Sequence, residues 1–251
     1  MLRAVFWEIK MDMKSAFRYR FGMATDIIIY SVLLIFFLMS NSGKSYQDMY
    51  HYDNYKELLV VGYLAWIYAV TAITSISQIV SGELRQGTFY KKYNSVYPLQ
   101  ALLFGRMIAA LIIQSIVVLI VLLVSVLFGN SVTGIQPFAI VAVIISTIGM
   151  YGIGLIIAGM SIFHKKIGSI LYIIQLCLLF VTDTIPTSQS VTLVLPLTLC
   201  NTVLRKSIAR ISFTTDFMKL IVSAVIFLVL GICVFQLYLK RARKKGNLLF
   251  Y

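Results

Sequence analysis

Long apolar stretches are the feature of this chain that most constrains its fold. Six of them approach or exceed the roughly 20 helical residues that a hydrocarbon core about 30 Å thick requires. They cover residues 22–41, 58–80, 107–128, 138–163, 167–183 and 220–239. Only 12% of the residues are charged, which is about half the usual share in a soluble domain. The sequence therefore predicts an all-α integral membrane protein with six transmembrane helices in a transmembrane domain of residues 22–251.

The cations are distributed unevenly around these stretches. Six spans place both termini on one side of the membrane, and 16 of the 22 Lys and Arg residues then share that side. The positive-inside rule assigns the cation-rich side to the cytoplasm, so we expect cytoplasmic termini, and we read the net charge of +13 as a membrane signal rather than a nucleic-acid signal. The cytoplasmic set is Arg3, Lys10, Lys14, Arg18, Arg20, Arg85, Lys91, Lys92, Arg106, Lys165, Lys166, Lys240, Arg241, Arg243, Lys244 and Lys245.

Residues 1–21 form a separate segment before the first span. Apolar residues recur there every three or four positions, and cations occupy the other side of the predicted helix. This pattern is typical of an amphipathic interface helix that lies against anionic lipids; a packed soluble helix is the alternative. The apolar stripe consists of Leu2, Val5, Phe6, Ile9, Met13, Ala16 and Phe17.

The connection between the last two spans holds a short apolar segment interrupted by proline. Its 14 residues rise only about 21 Å as a helix, which is too short to cross. We therefore predict a re-entrant hairpin over residues 186–206, entering from outside, with Pro186 and Pro196 breaking its helices. Arg205, Lys206 and Arg210 are unusual external cations, for which we expect lipid headgroups or Asp183 and Asp216 as partners.

The tyrosines of the first external segment and the three cysteines are predicted to have structural roles. The tyrosines of the first external segment are predicted to form an aromatic belt at the outer headgroups; they are Tyr46, Tyr50, Tyr52 and Tyr55. The three cysteines are predicted to be buried structural thiols; they are Cys177, Cys200 and Cys233.

The small residues of the fourth span are predicted to form a tightly packed helix face, within the bundle or at a subunit contact. They are Ser146, Gly149, Gly152, Gly154, Ala158 and Ser161.

Residues suited to catalysis or metal binding are scarce. The topology places His51 and His164 on opposite sides of the membrane, so a histidine metal site is not expected. Carboxylates are nearly absent from the spans, although gradient-driven carriers usually need them there. We therefore predict no catalytic residue, metal or cofactor in this chain, and an energy source in a partner.

Uncharged polar residues form two stripes inside the spans. Such stripes either line a passage for an amphipathic substrate or hydrogen-bond neighbouring helices, and the sequence favours neither. The second span contributes Thr71, Thr74, Ser75 and Gln78, and the fifth contributes Tyr172, Gln175 and Thr182.

The segment SGELRQGTFYKK at residues 81–92 resembles an incomplete phosphate-binding loop. Gly82 and Gly87 have the spacing of that motif, but Thr88 and Phe89 replace its lysine and hydroxyl residue. Aromatic side chains interleave with cations here, a composition typical of protein interfaces. We therefore interpret residues 82–97 as a docking loop rather than a nucleotide site; an ordinary solvated loop is the alternative.

At this loop the chain resembles the ABC-2 type permeases, the membrane subunits of many bacterial ABC exporters. Their loop reads E-x-x-x-G-T, then proline, then G-[KR] at the start of the third helix. This chain has Glu83, Gly87-Thr88, Pro98 and Gly105-Arg106 in that order. The amphipathic N-terminal helix, the six spans and the proline-containing hairpin extend the resemblance over essentially the whole chain.

The resemblance implies the partners. The protein would pair with a second copy or a paralogous permease, and two ABC ATPase subunits would supply ATP and magnesium chemistry at the bacterial cytoplasmic membrane. The second and fifth spans would line the path. The ATPase-coupling residues would be Glu83, Arg85, Gly87, Thr88, Lys91 and Lys92.

The function expected on this basis is export of an amphipathic or hydrophobic peptide, toxin or drug. Tyr172 is the only aromatic ring in the two polar stripes, whereas a sugar path would favour more rings. Export of a polysaccharide or lipid-linked glycan is the alternative within the family. A non-transporting membrane interaction or sensor protein is the alternative outside it.

Overall fold

The computed structural model describes residues 2–40, 43–95, 97–130, 134, 136–163, 168–182, 184–185 and 194–244. These residues form ten helices and no strand. The helices are α1 Leu2–Arg18, α2 Arg20–Met39, α3 Ser45–Tyr50, α4 Tyr55–Arg85, α5 Phe89–Tyr93, α6 Leu99–Leu127, α7 Pro137–Ser161, α8 Gly168–Val181, α9 Pro196–Ile208 and α10 Thr214–Lys244.

Five of these helices are long and apolar enough to cross a membrane, namely α2, α4, α6, α7 and α10. The prediction of an all-α membrane protein is therefore confirmed. The fifth predicted span corresponds to α8, whose 14 residues rise about 21 Å and fall short of a hydrocarbon core of about 30 Å. Residues 164–167 and 183, which flank α8, lie outside the described residues, so the count of six spans stays a prediction.

Helix α4 is the centre of the bundle. Most of its residues are buried, and it contacts α2, α3, α5, α6, α7, α8 and α9. Its apolar surface is therefore covered mainly by other helices of the bundle. The Tyr68 hydroxyl donates to Ser115 Oγ of α6 at 3.0 Å, and Arg106 near the start of α6 lies beside Glu83 near the end of α4. The two helices therefore run antiparallel.

The ends of α4 define the two ends of the molecule. We call the end where α4 stops and α5 begins the α5 end. The opposite end, where α4 begins, carries α3 and the last turn of α9, because Arg205 of α9 donates to the Leu58 carbonyl. We call it the α9 end.

Small residues on α7 bring three helices into backbone contact. A Cβ on Gly152 would overlap the backbone of Phe227 in α10, and a Cβ on Gly154 would lie 2.9 Å from the Ala72 carbonyl oxygen in α4. The Gly154 carbonyl also accepts a hydrogen bond from Ser77 Oγ at 3.3 Å. The predicted packed face on this helix is confirmed, and it lies within the bundle.

Helix α9 lies inside the bundle instead of crossing it. A Cβ on Gly149, midway along α7, would meet Pro196 at 2.8 Å, whereas Ser207 Oγ donates to Gln136 at the start of α7 at 3.3 Å. The helix thus runs from the middle of the bundle to the α9 end, with 11 of its 13 residues buried. Residues 186–193 of the predicted hairpin lie outside the described residues, so the hairpin as a whole stays a prediction.

Two structural interpretations of the sequence are wrong in part. Tyr46 and Tyr50 are buried in the core rather than exposed in an aromatic belt, because α3 folds back over α4. Cys200 is buried as predicted, but Cys177 and Cys233 lie on the outer surfaces of α8 and α10, since those helices turn apolar faces outward.

Candidate functional site

The motif of Glu83, Gly87 and Thr88 lies where α4 ends. Gly87 has a φ of +67°, its N–H donates to the Leu84 carbonyl at 3.1 Å, and the Thr88 N–H donates to the Glu83 carbonyl at 3.0 Å. These two bonds form a Schellman motif, which needs a residue in the left-handed conformation and therefore favours glycine. Gly87 and Thr88 thus terminate α4, and the chain turns at once into α5.

Five charged side chains from four helices meet at this turn, and we call them the α5 cluster. They are Glu8 and Asp12 of α1, Glu83 of α4, Lys92 of α5 and Arg106 of α6. Lys92 Nζ lies 2.8 Å from Glu83 and 3.1 Å from Glu8. Arg106 donates to Glu83 and forms a two-bond pair with Asp12 at 2.8 and 2.9 Å.

The α5 cluster is shielded from solvent. The side chain of Glu83 is 7% exposed, and those of the other four members are between 19% and 25% exposed. Partly buried charges attract each other more strongly than surface charges do, and removing one partner leaves the other costly to bury. The cluster therefore fixes α5 to α1, α4 and α6 together.

Helix α1 reaches the cluster because α6 has a glycine at the contact. A Cβ on Gly105 would lie 3.0 Å from Val5 Cγ1 and 3.2 Å from the Val5 carbonyl oxygen. The next residue, Arg106, pairs with Asp12. The Gly105-Arg106 pair thus docks α1 onto α6, while Phe6, Trp7, Met11 and Phe17 stay exposed.

The structure divides the six predicted ATPase-coupling residues into three groups. Glu83 and Lys92 belong to the α5 cluster, and Gly87 and Thr88 shape the turn. Arg85 and Lys91 are exposed. Contact of any of these residues with an ATPase stays a prediction.

Two of the four residues in the predicted polar stripe of α4 are bonded within their own helix. The Thr71 and Thr74 hydroxyls donate to the Ile67 and Val70 carbonyls, each at 2.9 Å. Ser75 is half-buried, and Gln78 is exposed.

The stripe of α8 has a different environment. Tyr172 is 68% exposed, and the Gln175 carbonyl accepts a bond from the Trp66 indole at 3.3 Å. Thr182 is fully buried beside Thr184 at the α9 end. Trp66, through which α4 contacts α8, therefore precedes Thr71, the first residue of the α4 stripe. That the two stripes line a substrate path stays a prediction.

A second polar centre, not recognised in the sequence, lies at the α9 end. Arg205 is fully buried, its guanidinium lies 3.9 Å from the Tyr46 ring centre, and it donates to the Tyr46 hydroxyl at 2.9 Å. It also donates to the Thr184 carbonyl at 3.5 Å, and a Cβ on Gly62 would approach it to 2.8 Å. Arg205 thus joins α9 to α3, α4 and the segment after α8.

The partners predicted for Arg205 and Lys206 are confirmed for Lys206 and wrong in part for Arg205. Lys206 pairs with Asp216 at 2.6 Å, as predicted. The expectation of headgroup contact is wrong for Arg205, because the bundle interior encloses it. Asp183 lies outside the described residues.

A buried carboxylate also fixes the loops at the α9 end. Glu57 is 1% exposed and accepts bonds from the Tyr52 hydroxyl at 2.8 Å and the Gly134 N–H at 2.6 Å. Partial burial and then the hydrogen bond to Glu57 raise the pKa of Tyr52 above its ordinary value. Tyr52 therefore stays a hydrogen-bond donor at physiological pH.

The motif order and this geometry agree with one comparison. A family model described as ABC-2 type transporter matches residues 3–209. The chain belongs to the ABC-2 type transporter family. No curated protein matches the sequence. The resemblance predicted from Glu83, Gly87 and Thr88 is thereby confirmed.

Membership in the ABC-2 family gives the protein its general role. It is a permease subunit, the transmembrane component of an ABC transporter, and the family in general implies an ABC ATPase partner. The matched range includes the α5 cluster and Arg205, and it ends just after α9.

Sequence analysis missed Glu8 and Asp12 of the α5 cluster and the buried role of Arg205. Glu8 and Asp12 stand four residues apart, and so on one helix face, which was the available signal. A single arginine inside an apolar segment was the signal for Arg205.

Proposed function

We propose that the protein is the permease of an ATP-driven exporter, working as a dimer with two separate ATPase subunits docked at the α5 end. The observation that carries this proposal is the α5 cluster, which joins the short helix α5 to three longer helices. Family membership supports an ATPase partner in general.

The α5 cluster supplies a mechanical link for coupling. A partner that displaces α5 moves Lys92, and Lys92 holds Glu83 of α4 and Glu8 of α1. Arg106 extends the link from the same Glu83 to α6. Since separating partly buried opposite charges is costly, the four helices move together at the α5 end, and a small displacement of α5 reaches the bundle.

The surface around the cluster suits a protein partner in the cytoplasm. Arg85, Tyr90 and Lys91 are exposed at the α5 end, and tyrosine and arginine are enriched in interface centres. The positive-inside rule favours the cytoplasm for this cation-rich end, where ATP is available.

The substrate passage then lies between two copies of the chain. None of the stripe residues on α4 or α8 lines the large cavity that the described residues form among α4, α6 and α7. Tyr172 points away from its own chain, so a second copy is needed to enclose it. Mixed apolar and uncharged polar walls favour an amphipathic peptide, toxin or drug as cargo.

The experiment measures ATP hydrolysis and transport by the full complex, purified from native membranes and reconstituted in liposomes with candidate peptides, drugs and glycolipids. Lys92→Met should keep the ATPase bound but reduce cargo-stimulated hydrolysis by about 5- to 150-fold, the range for coupling energies of ~1–3 kcal/mol. Lys91→Ala combined with Tyr90→Ala should instead release the ATPase, because these side chains face outward.

Lys44→Ala is the matched control, since Lys44 is an exposed lysine beside α3 and should leave both readouts unchanged. Unaltered ATPase retention and coupling in all α5-end variants would contradict the proposal. Stimulation by glycolipids alone would replace the peptide or drug assignment with glycan export.

A further inference from the structure

A groove opens on the side of the bundle where α6 and α7 diverge over α4. Its walls include Leu64 and Tyr68 of α4, Leu111 and Ser115 of α6, and Val143 and Thr147 of α7. The cavity volume is about 440 Å³, within the ~300–1,000 Å³ typical of ligand pockets. We call it the lateral groove.

The lateral groove opens toward the membrane. Ile112, Ile140 and Ile144 line it and are between 41% and 61% exposed, and they belong to helices long enough to span a bilayer. The medium at this depth is hydrocarbon. An unfilled recess would forfeit the dispersion contacts of its walls, so lipid is the available filling.

The chemistry of the walls selects uncharged hydrocarbon. None of the described residues that line the groove is charged. The Tyr68 hydroxyl is already paired with Ser115 at 3.0 Å, and Thr147 donates to the Val143 carbonyl at 2.6 Å. These polar groups are satisfied internally and require no bond from a ligand.

The groove is long enough to hold one acyl chain, because it exceeds the depth of a single leaflet. Its α6 wall extends from Phe104 to Val118, which is about 21 Å of helix, compared with about 15 Å for half of a 30 Å hydrocarbon core. We propose that the lateral groove binds one acyl chain of a bilayer phospholipid and retains it as a structural lipid. This proposal rests on the membrane fold and is independent of the direction of transport.

The test is native mass spectrometry of the full chain in detergent with added dioleoyl phosphatidylcholine. This lipid has no net charge, so the positive charge of the protein does not drive retention. One lipid per chain should stay bound to the unmodified protein. Val143→Phe and Ala139→Phe fill the groove and should reduce the lipid-bound fraction about tenfold or more, because they remove apolar contact area.

Val141→Phe is the matched control, because Val141 lies on the same helix, is 45% exposed and does not line the groove. It should retain the lipid. If Val143→Phe fails to fold by circular dichroism and gel filtration, Ala139→Phe alone decides.

Three results would overturn the proposal. Equal lipid retention in the groove-filled variants and the control would show that no chain sits there. A disulfide between two copies through Ile144→Cys would show that a second copy covers the groove. Displacement of the lipid by a peptide or drug that stimulates ATP hydrolysis would assign the groove to the cargo path.

Discussion

Arg205 shows what a single charged residue decides in an apolar bundle. A guanidinium stays protonated in proteins, so its burial requires acceptors on all sides. The Tyr46 ring and hydroxyl and the carbonyls of Leu58 and Thr184 provide such contacts. Four separate segments are thereby fixed at one point, and Gly62 leaves the necessary room.

Replacing Arg205 with methionine should lower the free energy of unfolding by roughly 2–4 kcal/mol, since hydrogen bonds from a charged donor contribute about 1.5–3 kcal/mol each. Thermal melting of the purified protein, followed by intrinsic fluorescence, measures the loss. Arg210→Met is the control, because Arg210 is exposed five residues later. Equal melting of the two variants would contradict the structural role of Arg205.

At the scale of elements, the α5 end depends on how closely α1 approaches α6. Val5 rests on Gly105, and Asp12 is paired with Arg106. This contact replaces part of the lipid surface that an interface helix would otherwise face. Helix α1 thus has one side on the bundle and another with exposed aromatic residues.

A leucine at position 105 should displace α1 from α6, because even a Cβ there would lie 3.0 Å from Val5. Hydrogen exchange at residues 2–18 should then accelerate by about tenfold or more, since the docked helix loses its packing. Gly82→Leu is the matched control, because a Cβ at Gly82 would meet no atom of another described segment within 4 Å. Unchanged exchange in Gly105→Leu would show that the cluster alone holds α1.

At the scale of the whole molecule, the direction of α8 determines the topology. Helix α7 runs parallel to α4, since Gly134 just before α7 bonds to Glu57 at the start of α4, whereas Gly154 packs on Ile73 and Ile76 further along. Helix α7 therefore ends toward the α5 end. Helix α9 finishes at the α9 end. The chain between them must return through α8, although α8 is too short for an ordinary bilayer.

A return through α8 predicts that both termini share the side of α5. In a variant without native cysteines, Ser15→Cys, Lys91→Cys and Arg243→Cys should resist a membrane-impermeant maleimide in intact cells, whereas Lys44→Cys should react. All four positions are exposed in the structure. Labelling at position 243 but not at 91 would show that α8 does not cross.

The sequence predicted the candidate site only in part. Glu83, Gly87 and Thr88 carried the motif, and Gly87 fits the helix ending that it forms. The direction of the Glu83 and Lys92 side chains was unpredictable, because Glu8, Asp12 and Arg106 come from helices distant in the chain. The lateral groove was equally hidden, since its walls look like ordinary membrane-facing residues.

The sequence by itself determined that this protein lies in a membrane as helices and belongs to the ABC-2 family. The length of an apolar stretch and a short motif are local properties of the sequence. The hydrocarbon of the bilayer offers the backbone no hydrogen bonds, so an apolar spanning segment must form them within itself. Only the tertiary structure decided which charges are buried together, which tyrosines leave the surface and where α6 and α7 separate. Those outcomes depend on contacts between distant segments, where packing and charge pairing override the preference of each residue.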